Sequence, residues 1–335
     1  MKKSVFLLRI PQFILSCLVI FSLPTSANQW QALYKRPTEI PFPSNNLYSA
    51  EKAALGKMLF FDPRLSQNFN MTCATCHNPS FGWEDATTLS VGAQNTALDR
   101  HSPTVINAAW GNQFFWDGRA PTLEGQAQGP IESTVEMNTP MAVVVERLSA
   151  VPQYQTWFQR AFNGEGVTSE NIKKAIATFE RTIVSGIAPF DRWIDGDENA
   201  ISHQAKRSFE LFNGKALCMT CHTGWNFTDN RFHDIALSGT DKGLGARTNN
   251  ALENFAFKTP GLRNIGQRAP YMHDGRFKTL EEVIEHYASD LVTRESRSPQ
   301  LINIQLTSQE VADIKAFLLT LTGDDKPVTL PILPY

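Results

Sequence analysis

The sequence predicts a mainly α-helical protein built from two similar halves, and three observations carry that expectation. Apolar residues recur at helical spacing between recognisable caps along most of the chain. The motif Cys-x-x-Cys-His occurs once in each half, as Cys73-Ala-Thr-Cys76-His77 and as Cys218-Met-Thr-Cys221-His222. A chain of 335 residues is long enough for about two domains.

Taken in order, Lys2 and Lys3 precede an apolar run from Phe13 to Leu23, and Thr25-Ser26-Ala27 offers small residues for cleavage. Residues 1–27 therefore read as an export leader, since the run is too short to span a membrane. Cys17 lies inside it, which leaves no cysteine outside the two motifs in the mature chain. Ser49 caps a helix through Leu55, Met58 and Leu59 that Asp62-Pro63 ends ahead of the first motif. Thr139-Pro140 opens another helix, with Pro in its first turn. Between Thr168 and Ser185, residues Ile172, Ala175, Ile176, Phe179 and Ile183 form one apolar face, with Gly186 as the stop.

The polar run Asp195 to Asn199 marks a boundary between an N-terminal domain, residues 28–195, and a C-terminal domain, residues 196–335. The second half repeats the order of the first: a helix with Phe209 and Phe212, then Gly214, then the second motif. Thr279-x-x-Glu282 forms a capping box, and Leu280, Val283, Ile284 and Tyr287 follow on one face. Tyr287 thus points inward, whereas His286 is rotated about 100 degrees away. A core tyrosine with its hydroxyl satisfied elsewhere is the alternative that periodicity leaves open. Thr307-x-x-Glu310 caps a last helix bearing Val311, Ile314, Leu318 and Leu321 on one side.

The motifs carry the chemistry. Two thiols form thioethers to a porphyrin, and the adjacent imidazole takes an axial position on iron. A lone Cys-x-x-Cys also suits a redox dithiol or half a zinc site, but His in the same place twice selects two covalently bound haem c groups, ligated by His77 and His222. Haem c attachment without spare thiols suits the bacterial periplasm. With 31 basic against 33 acidic residues and no basic stretch, nucleic acid is excluded as a partner, leaving a small molecule or a protein. The segment from Trp116 to Glu136 supplies a carboxylate, an amide and an indole. Taken singly, Glu136 reads as a solvated carboxylate, Gln126 as a surface amide and Trp116 as core packing.

Together the two motifs, FWDGRAPTLEGQAQGPI with the following Glu136-Met137, FKTPGLRNIGQRAPYMHDG and TLEEVIEHY resemble the bacterial di-haem cytochrome c peroxidase/MauG family over about Glu51 to Gly323. The resemblance implies two cytochrome c-like, mainly α-helical domains, with a peroxide-reacting haem in the first and an electron-transfer haem in the second. It matches Glu136 to the distal acid/base, Gln126 to its polar neighbour, Pro130 to a distal-pocket proline and Trp116 to the indole between the haems. Asn107, Thr259 and Gly261 resemble positions that bind one interdomain calcium ion.

Two departures from the peroxidase branch choose the subgroup. Ala93 stands where a His closes the peroxidatic iron, and His101 nearby occupies a different motif position. Tyr287 stands where an axial Met is expected. A neutral thioether favours Fe(II), whereas an anionic phenolate favours Fe(III) and higher states. Both departures resemble the MauG-like branch, which implies an enzyme that uses hydrogen peroxide to oxidise Trp or Tyr residues of an exported partner protein, as in tryptophan tryptophylquinone maturation of methylamine dehydrogenase. Lys215-Ala216-Leu217 lacks the Trp that the family places before the second motif. A peroxidase fed by a small redox protein and a non-catalytic electron carrier are the other two classes.

Overall fold

The computed structural model describes residues 27–335, so the expected leader over residues 1–27, with Cys17, lies outside the described residues apart from Ala27. The helices are α1 (Ala27–Tyr34), α2 (Ala50–Phe60), α3 (Cys73–Cys76), α4 (Leu123–Glu132), α5 (Met141–Ser149), α6 (Pro152–Ala161) and α7 (Ser169–Arg181). They continue with α8 (Pro189–Ile194), α9 (His203–Asn213), α10 (Leu244–Thr248), α11 (Leu280–Tyr287) and α12 (Ser308–Leu319). Among the described residues the sheet is a single antiparallel pair, β1 (Phe232–Asp234) and β2 (Ala256–Lys258), with His233 opposite Phe257. No helix among them is long and apolar enough to cross a membrane.

Caps set the boundaries. Ser49 accepts a hydrogen bond from the Lys52 amide at 3.1 Å to start α2, and Thr279 and Thr307 form reciprocal capping boxes with Glu282 and Glu310. Two ends differ from the sequence reading. Pro140 is the N-cap residue just outside α5 rather than part of its first turn. The helix expected to reach Ser185 stops at Arg181, where the Thr182 hydroxyl donates to the Phe179 carbonyl at 2.6 Å. Gly186 is needed for close approach instead: a Cβ there would lie 2.6 Å from the Asp324 backbone.

Each half has its own apolar core. In the first, α2 packs on α7, closely enough that a Cβ on Gly56 would meet the Ala175 carbonyl oxygen at 1.9 Å. In the second, α9 packs on α12 around an aromatic cluster in which Phe209 lies 5.2 Å from both Phe190 and Phe317, and Phe212 5.1 Å from Phe317. Such edge-on pairs add to the stabilisation that burial supplies. The helices α2 and α9 each precede a Cys-x-x-Cys-His motif, so the repeated order is also a repeated packing. The second core reaches back across the expected boundary, since it contains Phe190, Trp193 and Ile194 of α8 and Tyr34 of α1. Asp191 anchors α8 there, paired with Arg36 at 3.2 Å and Arg263 at 2.8 Å.

Because the atom facing Gly56 is a backbone oxygen that cannot rotate away, Gly56→Ala should destabilise the protein. The gain in helix propensity, about 1 kcal/mol, is outweighed by overpacking of roughly 1–3 kcal/mol or more. The check is the denaturant midpoint of the holoprotein, which should fall.

Candidate active site

The first motif is a single turn of helix. At its start the Thr72 amide donates to the Thr75 hydroxyl at 2.9 Å, and His77 follows as its C-cap residue. The His77 Nδ1 lies 3.3 Å from the Trp83 carbonyl, which leaves Nε2 for a metal. Burial lowers its pKa and favours the neutral imidazole that ligation requires.

Gln126, Pro130 and Glu136 line the same cavity, of about 60 Å³, as Cys73, Cys76 and His77. Gln126 and Pro130 are four residues apart on α4 and so share a face. Pro130 has no amide to donate, and the helix ends two residues later. The chain then doubles back, with the Glu136 amide donating to Ser133 at 3.1 Å and the Met137 amide to Pro130 at 3.0 Å. This reversal returns the Glu136 carboxyl beside the helix. Burial raises its pKa, opposed by a hydrogen bond from Ser133 and by Arg119.

Ala93 is buried and its amide donates to the Glu136 carbonyl at 2.8 Å. Its loop is packed tightly there, for a Cβ on Gly92 would meet the Val135 oxygen at 1.8 Å. His101 offers no replacement ligand: its ring nitrogens lie 2.8 Å from the Thr87 carbonyl and 3.1 Å from Glu84.

The second cavity, of about 190 Å³, is lined by Cys218, Cys221, His222 and Tyr287 between apolar side chains of α9, α11 and α12. His222 Nδ1 is 2.9 Å from the Phe227 carbonyl, and burial again lowers its pKa. Tyr287 faces the cavity, whereas His286 is turned away with Nε2 2.8 Å from the Ile235 carbonyl. Burial raises the Tyr287 pKa, so its phenol ionises only against a positive centre. Pro130 and Tyr287 are equivalent positions of the repeat, each the eighth residue after its capping threonine, Thr122 and Thr279. Both halves therefore fit a haem c: paired thiols, an imidazole with one nitrogen free, and apolar walls.

Trp116 lines the second cavity and a third one between the halves, rather than the first. Its Nε1 donates to the His101 carbonyl at 2.8 Å, and its ring lies 6.5 Å from His273, the residue equivalent to it in the second half.

The third cavity, of about 140 Å³, brings together Asn107, Thr259 and Gly261. Their oxygens are already engaged: Asn107 Oδ1 by the Ser185 amide at 3.1 Å, the Thr259 carbonyl by the Thr228 hydroxyl at 2.7 Å, and the Gly261 carbonyl by Arg268 at 2.5 Å. The charged side chains lining the cavity are Lys258, Arg263 and Arg268 against the single carboxylate Glu84. A hard cation seeks about six to eight oxygens, usually including carboxylates. Each engaged carbonyl oxygen keeps a second lone pair, and the three residues converge at a junction whose charged neighbours are mostly cationic.

Sequence pattern did not single out three further features. Glu84 joins Arg268 at 3.3 Å and His101 at 3.1 Å, across the two halves. Asp229 and His233 form an ion pair at 2.8 Å beside Cys221. Burial opposes charge on both, yet the pairing with Asp229 carries His233 up to about 9, and Asp229 is held down at about 2. Glu180 is buried in the wall of the first cavity. Only Asp229 and His233, four residues apart near a motif, left a local signal.

Two helical halves, each presenting a Cys-x-x-Cys-His turn to its own cavity, define a di-haem c-type cytochrome. Residues 50–199 match the family described as di-haem cytochrome c peroxidase, and residues 205–322 match that described as cytochrome c. The methylamine utilization protein MauG of Methylorubrum extorquens is 49% identical over 308 residues, covering 91% of this chain and 87% of the relative. MauG of Methylophilus methylotrophus is 44% identical over 327 residues, covering 95% and 98%. Cytochrome c551 peroxidase of Nitrosomonas europaea is 37% identical over 292 residues, covering 85% and 84%. The crystal structure of a MauG-like protein associated with microbial copper homeostasis aligns with TM-score 0.80 and 31% identity, over 86% of this chain and 95% of that one. The chain belongs to the di-haem cytochrome c peroxidase/MauG family. It is a haem-dependent peroxidase or oxidase with two c-type haems.

The orientation of α11 makes a spectroscopic prediction. Tyr287→Phe should alter the absorption spectrum of the diferric His222 haem, and His286→Gln should leave it unchanged. An unaltered spectrum in the Tyr287 variant rules out phenolate ligation.

Proposed function

We propose that this protein uses hydrogen peroxide at the His77 haem to oxidise Trp or Tyr residues of a periplasmic partner protein. The observation that carries the proposal is the make-up of the first cavity, in which an acid/base carboxyl and an amide stand with His77 as the single imidazole in the lining, Ala93 occupying the place where the family's peroxidases carry a second. When bound, haem supplies the iron that accepts peroxide and the centres that hold oxidising equivalents until the partner is oxidised. His77 and His222 would be the proximal ligands, the four motif cysteines the covalent anchors, and Tyr287 the second ligand in the C-terminal half.

Within that frame Glu136 acts as the base. Its carboxylate takes the proton from the nearer peroxide oxygen and returns it to the farther one, so that water rather than hydroxide leaves. Gln126 orients the peroxide through its amide. Pro130, at the position of Tyr287 in the repeat, would offer no ligand atom to a haem held there. Trp116 passes an electron between the halves, and the buried phenol of Tyr287 suits the oxidised rather than the reduced form of its haem. In the balance, two electrons leave the partner, and peroxide with two protons becomes two waters.

The leader over residues 1–27 and the periplasmic location belong to this proposal, supported by the export pattern of the sequence and by the compartment that haem c attachment requires. The domain division at residues 195/196 is proposed from the polar run that begins there, with α1 and α8 packing on the second core from the other side of it. One calcium ion at the junction, held by Asn107, Thr259 and Gly261, is also part of the proposal, and the convergence of those residues supports it. The names of the two MauG relatives point to methylamine utilisation, and maturation of methylamine dehydrogenase is the specific partner reaction we propose. Lys215-Ala216-Leu217 implies an electron exit other than a Trp at that place.

The decisive measurement is stopped-flow spectroscopy of the diferric protein with one equivalent of peroxide. The wild type should react without prior reduction, from a resting state of one high-spin and one low-spin haem. Glu136→Gln should slow this reaction by roughly 10²–10⁴-fold. Because the Glu136 pKa is raised, the wild-type rate should fall as pH drops through a value above the usual carboxylate range, and the variant should lose that acid limb. Trp116→Phe should preserve the initial reaction and slow the subsequent change at the His222 haem. Reaction only after partial reduction would return the protein to the peroxidase class fed by a small redox protein.

A further inference from the structure

The first cavity holds a second carboxyl that the mechanism above leaves unused. Glu180, near the C-terminal end of α7, is 3% exposed, and its Oε2 has no hydrogen-bond partner although the residue lines the cavity with Cys73, Gln126 and Glu136. Buried carboxyl oxygens are paired in nearly all folds, so a carboxyl left without a hydrogen bond in a cavity wall is available to what the cavity binds. The neighbouring charges do not pair with it. Arg181, next on the same helix, is held by Glu124 of α4 through two hydrogen bonds of 2.7 and 3.0 Å. Lys52 of α2 belongs to that same cluster. From α3 the nearest titratable group is Cys73, a thioether once haem is attached. Glu136 and His77 line the cavity from other segments.

Burial therefore dominates and pushes the Glu180 pKa up to about 8, with Arg181 pulling it down and Glu124 adding to the rise. At neutral pH the group is an acid, able to donate. Glu136 cannot fill that part, since as a base it takes and returns the same proton and supplies none to the overall reaction.

We propose that Glu180 is the proton donor of the first cavity, a neutral carboxylic acid whose O–H is directed at oxygen bound there as water or peroxide. The role rests on the peroxide reading above. Conversion of one peroxide to two waters consumes two electrons, taken from the partner residue, and two protons. One proton leaves the Glu180 carboxyl, breaking its O–H bond and forming one in product water, and solvent then restores the acid.

The test is infrared difference spectroscopy of the holoenzyme with and without cyanide, alongside steady-state peroxide consumption. At pH 7 a protonated-carboxyl C=O band should be present, should shift when cyanide occupies the His77 haem, and should be missing from Glu180→Gln. The variant should keep both haem spectra, lose at least roughly tenfold in peroxide consumption, and lose the decline in rate that the wild type shows as pH rises through about 8. Absence of the band, a band indifferent to cyanide, or undiminished consumption by Glu180→Gln overturns the assignment. A wild type that shows the cyanide-sensitive band yet consumes no peroxide overturns the peroxide reading instead, and the donor role with it.

Discussion

Two buried imidazoles, each fixed by a backbone carbonyl of its own loop, set the position of everything around the haems. The bonds from His77 to Trp83 and from His222 to Phe227 hold each ring neutral, with one nitrogen free. With the adjacent cysteines they would hold a haem in each half, and the halves differ in what else lines the cavity. The difference comes down to the eighth residue after a capping threonine. Tyr287 places a phenol there, and Pro130 places a ring with no donor atom.

Charged pairs add to the apolar packing of α1 and α8 on the second core in holding the two halves in register. Arg100 pairs with Asp117 of the first half and Asp241 of the second, each at 2.7 Å. Asp191 is shared by Arg36 and Arg263, and Glu84 by His101 and Arg268. Buried pairs of this kind contribute little net stability because desolvation offsets their attraction, but their geometry is exacting and breaking one is costly. Their fit here is to position. They bring Trp116, whose carbonyl accepts from the Lys258 amide at 2.8 Å, against the wall of the second cavity. Guanidinium and ammonium groups crowd the same junction.

The local features were legible because they rest on short-range chemistry. The caps at Ser49, Thr279 and Thr307 and the inward aim of Tyr287 follow from spacing that one turn of helix enforces. The end of α7 was misplaced by pattern, since Ile183 continues the apolar face while Thr182 closes the helix by bonding back to Phe179. The expected calcium set was legible only as a resemblance. Asn107, Thr259 and Gly261 do converge, but pattern has no access to the Arg268 side chain that turns back onto the Gly261 carbonyl.

By itself the sequence determined that the protein is helical, that it is built twice over, that it carries two haems, and which residue types attend them. Periodicity and the Cys-x-x-Cys-His spacing are properties of contiguous chain, and they survive without knowledge of the fold. Only the tertiary structure decided that Glu136 comes back to the cavity of His77, that Trp116 attends the cavity of the other half, and that Glu180 lies in the wall of the first cavity with an oxygen unpaired. Those facts depend on how α4 reverses, how the halves dock and which face of α7 meets the cavity. Burial and charge, which tune a carboxyl into a base or an acid, exist only once distant segments have come together.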